Sequence, residues 1–256
     1  MSSKTLSFLM LSSCILGALA SGCATPDTTD EGDEALDSAA QAIGPAEVNP
    51  ATVEQAKGWL RWAFAQPWST GPVLDTTGAA CADGQSGSDW FLAGTTGGDV
   101  TRTCTIPANK TLVVPMINRW IVFRPEAYPD ADAVAKAQNM ADNYLKQQQA
   151  RTCELVLKVD GVEVAGDYDD MFEDLYVEEK VPFDVYLYPG DNFMSPYGVP
   201  SGINGGHMPA ETAGHYAEIE PLAPGDHVLE LAGKTCQNKN QVIFETSATY
   251  YLHVEN

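Results

Sequence analysis

His207 and His215 are the residues whose type and setting best fit chemistry. His207 sits in Gly205-Gly206-His207-Met208-Pro209, a glycine-rich stretch of the irregular kind that often carries function. Imidazole titrates near neutral pH and binds transition metals. With Asp191 or Glu218 brought close, the pair could hold zinc or do acid/base work. The sequence itself does not bring them together. A second cluster, Asp167, Asp169, Asp170, Glu173 and Asp174, offers hard carboxylate oxygens suited to calcium. It departs from the EF-hand pattern, because Phe172 occupies the position that needs glycine. Ordinary loop histidines and a solvated acidic loop are the simpler readings. The expectation is no cofactor, with zinc or calcium as alternatives.

Other catalytic signatures fall short. Gly84-Gln85-Ser86-Gly87-Ser88 approaches a nucleophile elbow, but Ser88 stands where glycine is required, and the flanking strand and helix are lacking. Gly233-Lys234-Thr235 lies too far from Gly225 for a phosphate-binding loop, so Lys234 reads as a hairpin or loop residue. Neither H-E-x-x-H nor G-x-G-x-x-G occurs. Trp59, Trp62, Trp68, Trp90 and Trp120 include candidates for sugar stacking, although large aromatics more often fill cores. His227 shares a strand face with Leu229 and Leu231 and reads as a hydrogen-bonded residue at the core rim. His253 lies opposite Leu252 and reads as exposed.

The N-terminus reads as an export signal. Lys4 precedes an apolar run from Leu6 to Ala20, too short to span a membrane. Leu19-Ala20-Ser21-Gly22-Cys23 resembles a lipobox, in which Cys23 would accept lipid. Ala24 stands where an aspartate would signal inner-membrane retention, so the resemblance implies the outer membrane of the cell envelope, with plain secretion as the alternative. Cys14 would leave with the signal. Cys81, Cys104, Cys153 and Cys236 then form an even set in an oxidising compartment. Three pairings are open. Cys81–Cys104 and Cys153–Cys236 keep each pair within one half of the domain. A zinc site is disfavoured, since no C-x-x-C occurs.

The net charge of the whole chain is −21, from 14 basic and 35 acidic residues. Such a surface repels nucleic acid and anionic lipid. Residues 24–43 carry six acids and no base, which predicts a disordered tether. Residues 44–256 are enough for one domain with a sizeable core.

That domain should open with a helix capped by Asn49, with Pro50 in its first turn and Pro67 at its end. Residues 90–93, 100–106 and 111–122 read as strands, with Pro115 marking a bulge or an edge. A second helix is predicted from Ala131 to about Gln149, capped by Asp130. Asp160-Gly161 is a strong hairpin signal. Residues 182–188 read as a strand, and 215–220, 227–231 and 242–254 as successive antiparallel strands. The fold class is mainly β: an antiparallel β-sandwich or jelly-roll-like domain with two packed helices, another α+β arrangement being the alternative.

Residues 84–95 with Trp90-Phe91-Leu92-Ala93-Gly94-Thr95, then Val100-Thr101-Arg102-Thr103-Cys104-Thr105-Ile106-Pro107 and Pro115-Met116-Ile117-Asn118, carry a resemblance. Together with the Pro224-Gly225-Asp226-His227 turn and Tyr250-Tyr251-Leu252-His253-Val254, they are similar to a family of exported bacterial proteins of unassigned function. The resemblance implies a shared fold and no site. Two functional classes follow. One is a noncatalytic binding or structural module on a membrane tether, engaging a glycan or an envelope protein through an aromatic or acidic groove. The other is an extracytoplasmic metal-dependent hydrolase, with His207, His215 and carboxylates meeting in a pocket.

Overall fold

The computed structural model describes residues 46–124, 127–163, 173–197, 204–238 and 241–256. Cys23, the acidic tether and Asp167, Asp169 and Asp170 lie outside them. The elements run β1 (Val48–Pro50), α1 (Val53–Phe64), β2 (Asp89–Phe91), β3 (Gly98–Pro107), β4 (Thr111–Val122) and α2 (Ala131–Arg151). They continue with β5 (Thr152–Val159), β6 (Val162–Glu163), β7 (Tyr176–Leu187), β8 (Gly206–Ile219), β9 (Gly225–Gln237) and β10 (Gln241–Glu255).

Two five-stranded sheets face each other. In the first, β8 is central, with β4 and then β2 on one side and β7 and β1 along the other. The second has the order β3-β10-β9-β5-β6. Alternation along the strands puts Leu112, Val114, Ala217 and Ile219 of the first sheet in one buried cluster with Leu157, Leu229, Leu231 and Leu252 of the second. This is the sandwich core. Burying each of these leucine, isoleucine and valine side chains contributes about 1.5–3 kcal/mol.

Both sheets are mixed, where the sequence reading expected antiparallel pairing throughout. β2 runs parallel to β4, and β3 runs parallel to β10. The reason lies in the connections. Residues 108–110, with Asn109 at φ 62°, carry the chain from the second sheet into the first. β3 therefore cannot pair with β4 and instead borders β10. Residues 220–224 likewise change sheets, so of the three C-terminal strands only β9 and β10 pair with each other.

α1 lies on the other face of the first sheet. Ala56, Leu60, Ala63 and Phe64 pack with Val113, Val185, Leu187 and Tyr216. Its cap is Thr52, three residues after the expected Asn49. Thr52 Oγ1 accepts from the Gln55 N–H, and Gln55 Oε1 accepts from the Thr52 N–H. This reciprocal box satisfies two terminal groups at once. Asn49 and Pro50 belong to β1, an edge strand where a proline without an N–H is tolerated.

α2 begins where Asp130 accepts from the Ala133 N–H at 2.8 Å. It buries Ala141, Leu145 and Gln148, while Met140 stands exposed. Asp160 (φ 52°) and Gly161 (φ 77°) form the tight β5–β6 turn, a geometry with two left-handed residues that Asp-Gly favours. Disulfides join Cys81 to Cys104 and Cys153 to Cys236. Cys153 falls where the β5–β9 register slips between Thr152 and Glu154. Lys234 lies within β9, not in a loop, and its ammonium meets Glu154 at 2.7 Å. No helix among the described residues is long and apolar enough to cross a membrane.

Candidate functional site

β4 positions the candidate site along one edge. β2 pairs with Thr111, Leu112 and Val113 only. Beyond them a cleft of about 530 Å³ follows β4 from Pro115 to Val122. Its shape begins with Pro115, which has no N–H to extend a ladder. The pairing of β4 with β8 slips between Pro115 and Ile117. At this bulge the two sheets close on each other. A Cβ added to Gly233 of β9 would fall 2.8 Å from the Met116 carbonyl oxygen and 2.9 Å from Ile117 Cβ. Only glycine permits that approach.

The wall on the α1 side is aromatic. Phe193 packs 4.7 Å from Phe64 and 4.8 Å from Trp68, and Phe64 meets Trp120 edge-on at 4.9 Å. Trp59 is fixed behind them by a 2.8 Å bond from its Nε1 to the Leu92 carbonyl. The wall on the α2 side is polar. Tyr144 and Gln148 project from one helix face, four residues apart. The Arg119 guanidinium lies over the Tyr144 ring at 4.7 Å. Gln148 and Thr235 are almost fully buried, yet Gln148 Oε1 and Thr235 Oγ1 have no hydrogen-bond partner among the described residues. Buried polar atoms without partners are uncommon enough to call for a reason. At the mouth, Thr95 and Thr246 share a 2.7 Å hydrogen bond beside Phe244.

No family model, curated protein or solved structure matches this chain.

No Asp, Glu, His, Cys or Lys lines the cleft, so an acid/base pair or thiol nucleophile has no source among its described lining residues. Arg119 is the only charged group among the described lining residues. An apolar wall on one face of the open β4 edge and a few fixed polar groups on the other suit binding.

The residues singled out from the sequence lie elsewhere. His207 and His215 are eight positions apart on β8, a separation of about 27 Å along an extended strand. His207 is exposed and 2.7 Å from Asp184. His215 is fully buried, its ring 5.4 Å from that of Tyr176. The structure does not bring them together. Asp191 instead accepts from Ser69 Oγ at 2.6 Å, and Glu218 accepts from the Gln55 amide. Glu173 and Asp174 are exposed. No group of three or more His, Cys, Asp or Glu among the described residues is arranged to hold a metal ion. The Gly84–Ser88 stretch lies in turns before β2, with no helix after it. His227 is buried, with Nδ1 2.8 Å from Asp160 and Nε2 2.8 Å from the Ala223 carbonyl. His253 is exposed, and its bond to Asp226 holds its pKa above the usual imidazole value. Trp59, Trp62 and Trp90 are core residues, while Trp68 and Trp120 are half-buried at the cleft.

Two polar features were missed. Arg102 is buried and supports the loops at the cleft mouth, through bonds to the Val73, Asp75, Ala93 and Gly94 carbonyls. Its signal was present: Arg102, Cys104 and Ile106 alternate with exposed Thr101, Thr103 and Thr105. The second is Glu211 of β8, buried beneath α2. Loss of hydration pushes its carboxyl up to about 7, and Asp142, Glu179 and Glu178 add to the shift. Tyr176 is pushed up to about 12, mainly by burial and then by Glu178. Nothing in the local sequence of Glu211 distinguishes it, because its burial depends on a helix some seventy residues earlier.

Proposed function

We propose that this chain is a lipid-anchored, extracytoplasmic binding module, noncatalytic, that holds a small ligand in the cleft along β4. The observation that carries the reading is the makeup of that cleft. Around the open edge of β4, aromatic side chains line the α1 face and Gln148 and Thr235 line the other, with buried polar atoms that have no partner among the described residues, and no acid/base pair is among the described lining residues. Such groups orient a ligand without transforming it. The address rests on the lipobox-like Leu19–Cys23 segment and the acidic stretch after it, which would hold the domain away from an outer-membrane surface. The strongly acidic composition disfavours nucleic acid as a partner. A free glycan fragment or a piece of an envelope component would suit the aromatic wall.

Saturation-transfer NMR of the purified protein against a fragment library tests the binding role. Thr96 lines the cleft and is exposed, so Thr96→Trp should fill the mouth without disturbing the core. Hits on the unaltered protein that vanish with Thr96→Trp are expected. A screen without any such hit would sink the reading. Metabolic labelling with tritiated palmitate tests the anchor separately, with label expected on the unaltered chain and absent from Cys23→Ala.

A further inference from the structure

We propose that the cleft along β4 selects a small organic carboxylate with an apolar or aromatic body and at least one N–H or O–H donor. The inference rests on the binding role proposed above and names its ligand class. Arg119 carries the argument. Acids outnumber bases 35 to 14 in this chain, so an arginine should readily find a carboxylate. Arg119 has none within ion-pair distance among the described residues. Its guanidinium lies over the face of Tyr144. Stacking uses the guanidinium plane and leaves the in-plane N–H groups to donate. Those donors border a half-buried cleft without a competing acid. A carboxylate matches their fork, and a charge-assisted pair there gains strength from reduced hydration.

The remaining groups narrow the class. Gln148 Oε1 is a buried acceptor without a partner among the described residues, so the ligand should bring a donor. Thr235 Oγ1 can give or take a bond beside it. Ile117 and Ile121, on the same face of β4 as Arg119, and the ring of Tyr144 accept the apolar body. A phosphate or other dianion fits less well. It would place a second negative charge beside one cation in a chain already at −21. The cleft volume of about 530 Å³ suits a small molecule.

Isothermal titration calorimetry with N-acetyltryptophan and its primary amide tests the proposal. The two differ in charge while sharing an indole and an N–H donor. The carboxylate should bind at least about ten-fold more tightly than the amide, since a charge-assisted bond commonly exceeds a neutral one by that margin. Arg119→Gln should remove the difference between the two probes. Arg119→Lys should retain part of it, as a point charge without the fork. Equal binding of the two probes, a preference that survives Arg119→Gln, or no binding of either overturns the carboxylate class. Should the variants fail to fold, the two-probe comparison on the unaltered protein still decides. The two failures are separable. Amide binding abolished by Thr96→Trp, without a carboxylate preference, removes only the ligand class. A fragment screen without cleft-dependent hits removes the binding role itself.

Discussion

Arg102 Nη1 donates to the Tyr250 hydroxyl at 2.6 Å, joining adjacent parallel strands of the second sheet deep in the core. The hydroxyl in turn donates to the Ala93 carbonyl at 2.6 Å, which also accepts from Nη1 at 2.7 Å. The remaining N–H groups reach the Asp75, Val73 and Gly94 carbonyls. Here a buried guanidinium is satisfied by loop carbonyls and a phenol. Those loops would otherwise leave acceptors buried and unbonded.

Arg102→Met should therefore destabilise the protein by at least about 3 kcal/mol, because several carbonyls lose their donor together. Arg102→Lys should recover little, since three donors on a flexible stem cannot replace five in a planar fork. Urea denaturation of both variants measures the loss. Gly94 and Val73 also line the cleft, so ligand affinity should fall with stability.

The two disulfides should differ in effect. Cys153–Cys236 closes a loop with a sequence separation of 83, against 23 for Cys81–Cys104. Loop-closure entropy assigns about 4.5 kcal/mol to the longer and about 3.4 kcal/mol to the shorter. Paired Cys→Ser variants compared by thermal unfolding should rank in that order. The reverse order would mean that the local fixing of Cys81 against β3 outweighs chain entropy.

Gly233→Ala should destabilise by about 1–3 kcal/mol, as the cost of overpacking a tight contact. Its methyl would press on the Met116 carbonyl and Ile117 Cβ at the β4 bulge. The strands would have to part at the base of the cleft. Thermal unfolding measures the loss. Chemical-shift changes confined to residues near Met116, Ile117 and Thr235 would locate the strain.

The elements of this fold were largely legible because they rest on local signals. Asp130 capped α2, Asp160-Gly161 turned the hairpin, and alternation around Tyr250 and Leu252 marked β10. The pairing was less legible. Whether residues 108–110 make a hairpin or cross between sheets depends on where the apolar faces find each other, which no window of sequence contains. The site failed to emerge for a related reason. Histidine and carboxylate types drew attention to His207 and His215, whereas the cleft joins Arg119, Gln148 and Thr235 from three separate elements. Each is unremarkable in its own segment.

Glu211 gives the last prediction. Burial beneath α2, with the nearby Asp142, Glu179 and Glu178, disfavours the anion and pushes its folded carboxyl from the ordinary 4.5 up to about 7. Between those two values the folded chain holds a proton that the unfolded chain has released. Stability linked to this group is therefore fully present below pH 4.5, declines as pH rises from 4.5 to about 7, and is lost above that. The loss should be on the order of 1–3 kcal/mol. Glu211→Gln keeps the shape and removes the ionisation. The variant should match the unaltered protein near pH 4.5 and exceed it at pH 8, with the gap opening across that window. Urea midpoints measured for both proteins at half-unit pH steps check this. The difference between the two curves cancels the titration of His253 and the other shared groups. A gap that is constant with pH would place the Glu211 carboxylate in contact with solvent or a counter-charge, and would remove the buried anion as a source of pH dependence.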